Sequence, residues 1–235
     1  MISLVIPCFN EEENLIKLLD KLKFLLIKYS NENIEIIIVD NGSTDNSNKI
    51  IKNHELFLKK NITLIKIKEN IGYGEGIHTG IKNSKGDIIS WFHADLQFDP
   101  FDVMKIYKKY KEQLINEKII VKGRRIERSI FDILFTYGMT IFTFLLFKQY
   151  INDINAQPKI FKRKFLELIV NPPKDFSYDI YFLLIACKNE VKIIEAPVKW
   201  HKRYAGIAKG GDSIKLKLKL TLKTLKYMMK VKKFF

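Results

Sequence analysis

The fold class predicted for this chain is α/β, a doubly wound and mostly parallel sheet flanked by helices. Three observations predict it. Short apolar runs alternate with helical patterns through the first 120 residues. Several of these runs end in a polar or acidic residue. The chain also has 235 residues, enough for one domain with a full core.

The elements follow in order. Residues 3–7 form a first apolar strand, and Glu11, Glu12 and Glu13 then open a helix whose apolar positions are Leu15, Ile16, Leu18, Leu19 and Leu22. Acids in a first turn suit the positive end of the helix dipole. Residues 34–39 make a second buried strand, closed by the polar run from Asp40 to Asp45, and residues 62–67 make a third. The glycine-rich stretch Gly72, Gly74, Gly76 leads into a helix, but it does not fit the dinucleotide-binding fingerprint. Residues 87–92, preceded by Gly86, read as a fourth strand that breaks into His93-Ala94-Asp95-Leu96-Gln97 and stops at Pro100. A carboxylate beyond a strand's carboxyl end lies where parallel sheets bind ligands. Asp95, with His93 and Gln97 on the same alternating face, could hold a divalent cation against a diphosphate. Capping of the following helix is the simpler alternative for Asp95.

Composition narrows the class. Hydrophobic residues make up 47%, which excludes a disordered chain. Cys8 and Cys187 form no ligand pattern and are expected to be free thiols in a reducing compartment. The chain opens directly on its first strand, so no signal peptide is expected. The formal charge is +15, of which residues 213–235 supply eight lysines and no acid. Charge gathered in a tail, without a reader motif, argues against nucleic acid as the partner.

Five blocks, taken together and in order, carry a resemblance. Residues 3–12 (SLVIPCFNEE), 39–45 (VDNGSTD), Asn70-x-Gly72-x-Gly74, Gly86-Asp87 and 94–97 (ADLQ) resemble family 2 glycosyltransferases with the GT-A fold. Within that family the chain is most similar to the dolichyl- or polyprenyl-phosphate sugar synthase branch, over about residues 1 to 210. The resemblance implies a nucleotide-sugar site formed by Pro7, Phe9, Asn10, Glu11, Asp40, Gly42 and Ala94, with Asp40 at the base. It implies that Asp95 binds the metal and diphosphate, with Gln97 and His93 as further metal contacts, the cation being Mn2+ or Mg2+. Arg125, in Gly123-Arg124-Arg125, falls near the phosphates, and Arg203 and Lys209 match a phosphate clamp on a loop around Gly206 that closes over the donor.

Departures from the pattern are specific. His93 stands where the signature has its first aspartate, and imidazole suits magnesium less well than a carboxylate does. Asn41 replaces the second acid of an Asp-Asp pair. On the acceptor side, Asp153 and Lys159 match the branch while Gln157 and Pro158 do not.

The resemblance implies inverting transfer from a GDP- or UDP-linked sugar to a membrane-associated acceptor, a polyprenyl phosphate in this branch. Such a phosphate needs no strong base. A sugar hydroxyl does, and Asp179 matches the acid that would take its proton. Extension of a surface glycan or glycolipid stays open as an alternative, as does an inactive nucleotide-sugar-binding protein suggested by His93 and Asn41.

Two segments bear on the membrane. Residues 133–147 are 15 residues without charge, short of the roughly 20 that span a bilayer, and can pack internally or lie in an interface. The division expected is a catalytic domain over 1–212 and a basic amphipathic tail over 213–235. In that tail Lys215, Lys219, Lys223, Lys226 and Lys230 form one stripe, and Ile214, Leu218, Leu222, Leu225 and Met229 an adjacent apolar one. A helix lying on the cytoplasmic face of an anionic membrane fits this pattern. So does a helix docked on the domain, and the Leu-Lys alternation over 214–220 also permits a strand.

Overall fold

Strand alternation sorts the core into two layers in a computed structural model, which describes residues 1–205 and 214–235. In β1 (Ile2–Cys8), Ile2, Leu4 and Ile6 face one layer and Val5 the other. In β2 (Ile34–Asn41), Ile36 and Ile38 go one way, Ile37 and Val39 the other. Period-two alternation between apolar side chains on both faces is what a sheet covered on both sides requires.

The first layer is covered by α1 (Glu12–Lys28), through Leu15, Leu18, Leu19, Leu22 and Leu25. The short α2 (Ser47–Asn53) and α3 (Glu55–Leu58) follow, leading to β3 (Ile62–Ile67). On the opposite face, α4 (Tyr73–Asn83) packs Ile77 and Ile81 against Val5 and Val39. Next come β4 (Ile88–Trp91) and α5 (Pro100–Asn116). Asp99, not Asp95, caps α5: its carboxylate accepts from the Phe101 N–H at 3.0 Å, with Pro100 in the first turn.

Strand β5 (Ile119–Ile126) is followed by α6 (Ile130–Phe147), β6 (Lys159–Lys162), α7 (Tyr178–Lys188), β7 (Lys192–Lys199) and α8 (Ile214–Val231). Among the described residues seven strands run in the order β3-β2-β1-β4-β6-β5-β7, and of these only β6 is antiparallel to its neighbours. The exception has a simple cause. Helix α6 stays beside the carboxyl edge of the sheet instead of crossing back, so the chain re-enters from that edge and must run the other way.

The two membrane-relevant segments behave differently from a core. Helix α6 covers 18 residues of mean hydropathy 1.9, longer than the uncharged run, yet only 11% of it is buried. It anchors through Thr140 and Thr143 and leaves Ile130, Phe131, Leu134, Tyr137, Ile141 and Leu145 exposed. The tail is a helix from Ile214, which removes the strand alternative. It packs beside α6 and docks with Thr224 and Met228, the latter fully buried, while Leu218, Leu222 and Met229 stay exposed. The apolar stripe read from the sequence is therefore divided: Leu225 packs against the core, while Leu218, Leu222 and Met229 face outward.

Candidate functional site

A cleft of about 970 Å³ lies beyond the carboxyl ends of β1, β2 and β4 and reaches to α6 and α8. Its donor side begins where β1 stops. Pro7, Phe9, Glu11, Ala94 and Asp95 line it. Asn10, Asp40 and Gly42 lie behind that lining and lock two loops together. Asn10 takes a left-handed φ of 52° and its Oδ1 accepts from the Thr44 N–H at 2.8 Å. The Asp40 carboxylate accepts from the Ser43 N–H at 2.9 Å and from Asn48 Nδ2 at 2.8 Å, and is fully buried. Gly42 has φ +74°, and a Cβ there would meet Asn70 N at 2.5 Å, so only glycine fits. Asp40, expected at the base, thus uses its carboxylate to brace its own loop.

At the end of β4, His93, Asp95 and Gln97 all line the cleft. Leu96 between the two acceptors takes φ 60°, a left-handed conformation uncommon for a branched residue. The turn lets the Gln97 N–H donate to Asp95 Oδ1 at 3.1 Å. His93 Nδ1 stands 3.8 Å from Asp95 Oδ2. Burial disfavours the charged Asp95 carboxyl, but His93, the Gln97 N–H and Arg203 outweigh it and hold the carboxyl below the usual range. Among the described residues no three His, Cys, Asp or Glu side chains cluster as a complete metal site. Two protein ligands with one amide fit a cation whose remaining positions are filled by diphosphate oxygens and water.

The clamp is only partly described. Arg203 is ion-paired with Glu11 and donates to the Ala205 carbonyl at 2.9 Å, while Asn14 bonds both polar atoms of the Ala205 backbone. Arg203 is thereby held at the donor end. Lys209 and the closing loop at Gly206 lie outside the described residues.

On the acceptor side, Asp153 gathers the cations. Its carboxylate accepts from the Arg125 backbone N–H at 2.8 Å, pairs with the Arg125 guanidinium, and lies 3.5 Å from Arg128 Nη1. Burial would raise the Asp153 pKa, but these cations hold it below the usual carboxylate range. Arg125 also lies over the Trp200 ring at 4.9 Å, which positions it at the cleft wall. Arg128 donates to Thr136 Oγ1 at 2.8 Å, tying the root of α6 to this cluster, and its buried Nε has no partner among the described residues.

Two fully buried lysines nail down the loop from 153 to 158. Lys122 Nζ reaches the Asp153 carbonyl at 3.4 Å and Glu195 at 3.1 Å. Lys159 Nζ donates to the Ala156 carbonyl at 3.2 Å and is ion-paired with Asp179. Burial lowers the pKa of both lysines, their acidic partners opposing it. Gly123 is required beneath this loop, since a Cβ would meet the Gln157 carbonyl at 2.0 Å. Asp179, expected as a base, is 1% exposed and already engaged by Lys159 and by Gln157 Nε2 at 3.3 Å. Taking a proton from an acceptor would strip a buried ammonium of its counter-charge.

Sequence reasoning missed Tyr73, Arg128 and Trp200, all of which line the cleft. Only Arg128 had a readable signal, its three-residue spacing from Arg125.

Residues 3–175 match the model of glycosyl transferase family 2. A dolichyl-phosphate beta-glucosyltransferase of Trichomonas vaginalis is 28% identical, over 86% of this chain and 66% of that protein. The chain thus spans just under two thirds of that relative's length. A UDP-N-acetylglucosamine–dolichyl-phosphate N-acetylglucosaminyltransferase of Methanococcus voltae is 30% identical, over 85% of each. In fold, the chain is similar to glucosyl-3-phosphoglycerate synthase of Mycobacterium tuberculosis, solved with Mn2+, UDP and phosphoglyceric acid. The TM-score is 0.72 at 15% identity, over 99% of this chain and 78% of that one. With nearly three quarters of its length matched by the family model, the chain belongs to glycosyl transferase family 2.

Proposed function

We propose that this protein transfers a sugar from a uridine diphosphate sugar to a polyprenyl phosphate at a membrane surface, with inversion at the anomeric carbon and with a divalent cation. The observation that carries this reading is the cleft's two ends. One holds Asp95 and His93; the other holds Arg125 and Arg128 beneath the uncovered apolar face of α6. The names of the relatives support the lipid-phosphate acceptor, and that of the Methanococcus voltae protein supports uridine over guanosine.

The acceptor phosphate would lie against Arg125 and Arg128, which line that end of the cleft. One of its oxygens attacks the anomeric carbon, and the bond from that carbon to the donor diphosphate breaks. A bound cation supplies charge neutralisation to the departing nucleoside diphosphate. Asp95, His93 and Gln97 are the residues that would hold it. Arg203, freed from Glu11, is within the donor end and can pair with the same phosphates. No protein base is needed, which agrees with the carboxylates at the cleft: Glu11 pairs with Arg203, Asp153 with Arg125, Asp175 with Lys223 and Asp179 with Lys159. A sugar hydroxyl would need one of them released.

The membrane contact we assign to α6 lying in the interface, with the lysines of α8 beside it on the anionic cytoplasmic leaflet. Incubation of the purified chain and Mn2+ with labelled UDP-sugars, and with either a short polyprenyl phosphate or an oligosaccharide, tests the reading. Expected is an acid-labile lipid-linked sugar, lost in Asp95→Asn by at least about a hundred-fold and in Arg128→Gln without loss of UDP binding. Transfer to the oligosaccharide alone would overturn it.

A further inference from the structure

The start of α1 departs from the usual chemistry of a helix end. Glu11 is its N-cap residue, yet its side chain caps no backbone N–H of the first turn. Asn14, three residues on, is a poor helix former and is only 1% exposed. Both side chains reach to the far end of the chain, 191 and 192 positions away. There the groups close a ring. Asn14 Nδ2 donates to Glu11 Oε2 at 2.6 Å and to the Ala205 carbonyl at 3.2 Å. Asn14 Oδ1 accepts from the Ala205 N–H at 3.1 Å. Arg203 Nε donates to the same carbonyl at 2.9 Å, and its Nη2 pairs with Glu11 Oε1. The Glu11 and Arg203 side chains are 12% and 13% exposed, so the ring is largely shielded from water.

Counting donors sets the chemistry required at position 14. The Glu11 carboxylate and the Ala205 carbonyl only accept, and the Ala205 N–H only donates. One short side chain must therefore offer two hydrogens and one acceptor, which an asparagine amide does. The orientation of that amide follows from the same count. The segment from Trp200 to Ala205 has further ties on either side. Lys17, one turn along α1, lies 3.7 Å above the Tyr204 ring, and the His201 N–H donates to the Gln97 carbonyl at 3.1 Å. Arg203 lines the cleft with Asp95, so the ring sits at the donor end.

We infer that Asn14 is a positioning residue that holds Arg203 at the cleft while its guanidinium changes partner, from Glu11 to the donor diphosphate. Ala205 stays tied through both its backbone polar atoms, so the main chain beside Arg203 keeps its place when the guanidinium turns. Glu11 would otherwise be left as a nearly buried carboxylate without a partner. The bond from Asn14 Nδ2 to its second oxygen offsets that cost. The inference rests on the reading above of Arg203 as a diphosphate ligand.

Calorimetry on the full chain with Mn2+, using UDP and uridine as probes, separates positioning from a merely structural role. Uridine has no diphosphate and so does not sense Arg203. Arg203→Ala should weaken UDP binding at least about ten-fold and uridine binding less than about two-fold. Asn14→Ala should repeat that pattern, with a loss of about five-fold or more on UDP. In the Arg203→Ala background, Asn14→Ala should change UDP affinity by less than about two-fold, because the guanidinium it positions is gone. Asn14→Asp has the same shape but no hydrogens to donate, and it should also lose UDP selectively. Equal losses of UDP and uridine in both Asn14 variants, an undiminished loss in the Arg203→Ala background, or no loss of UDP in either Asn14 variant overturns the proposal alone. If Arg203→Ala leaves UDP binding unchanged, the reading of Arg203 as a diphosphate ligand fails and takes the proposal with it.

Discussion

Helices α6 and α7 are both strongly apolar, yet one is left bare and the other is sealed. In α7, residues from Tyr178 to Leu184 are all buried, and Phe182 packs edge-on against Trp91, Phe161 and Phe165 at 4.7 to 5.0 Å. In α6, Phe131 is 75% exposed and Leu134 61%. Apolar composition alone does not distinguish them. What differs is position: α7 packs against β7 and α4 inside the core, whereas α6 stays at the cleft's rim beside α8, and among the described residues nothing covers its outward face. A patch of this kind marks a surface that meets something apolar.

The largest expected effect breaks the comparison at α7. Phe182→Ala should cost about 3–5 kcal/mol of unfolding free energy, since the aromatic cluster cannot close over the cavity. Phe131→Ala on α6 should change stability by less than about 0.5 kcal/mol. Denaturant unfolding of both variants measures this, and equal losses would mean that α6 is covered after all.

The next effect concerns what covers α6. Leu134→Glu with Ile141→Glu places two charges on its outward face, one helical repeat apart. Flotation with anionic vesicles should show binding weakened at least ten-fold, a change of about 1.4 kcal/mol, with nucleotide binding retained.

The tail sharpens the same contrast from its other side. Deleting α8 would uncover Met228's socket and free Asp175 from Lys223, so truncation tests folding more than membrane binding. Exposed Lys226 and Lys230 are the cleaner probes. Lys226→Gln with Lys230→Gln should weaken vesicle binding by about 1 kcal/mol per lysine at low salt, and added salt should reduce the difference. Salt-independent binding would leave α6 as the sole contact.

The smallest effect lies at the root of α6, where Arg128 joins Thr136 to Asp153. The Asp153 pKa is lowered in the folded chain, so its stabilising contribution is complete above the unfolded value of about 4 and is lost as pH falls through the folded value. The melting temperature of the unsubstituted protein should therefore drop more steeply below about pH 4 than that of Asp153→Asn. Parallel acid limbs would remove Asp153 from the account.

Much of the fold was legible because strands in a two-sided sheet announce themselves as apolar runs. Residues 34–39 and 62–67 fall within β2 and β3, and Asp95 stands beyond β4 as a strand-end carboxylate. Partnerships between distant residues were not legible. Nothing local in the sequence says that Tyr73 meets His93, that Lys159 meets Asp179, or that Asp40 spends its carboxylate on Ser43 and Asn48. The reversal of β6 was hidden for the same reason, since it depends on where α6 comes to rest. Periodicity revealed that the tail is amphipathic but not which face docks, because Thr224 and Met228 compete with Leu218 and Leu222 on packing shape as well as on hydropathy.

The two lysines beneath the loop from 153 to 158 set terms for anyone wishing to change the acceptor. Lys122 answers to Glu195 on β7 and Lys159 to Asp179 on α7, so the loop is inherited together with anchors from other parts of the chain. A grafted loop must still offer backbone carbonyls where Asp153 and Ala156 now meet these ammonium groups, since a buried lysine short of a partner is costly. The transplantable unit is the loop plus both lysines and both acids. Drift in this region is expected to be concerted, with all four positions changing hands together or not at all.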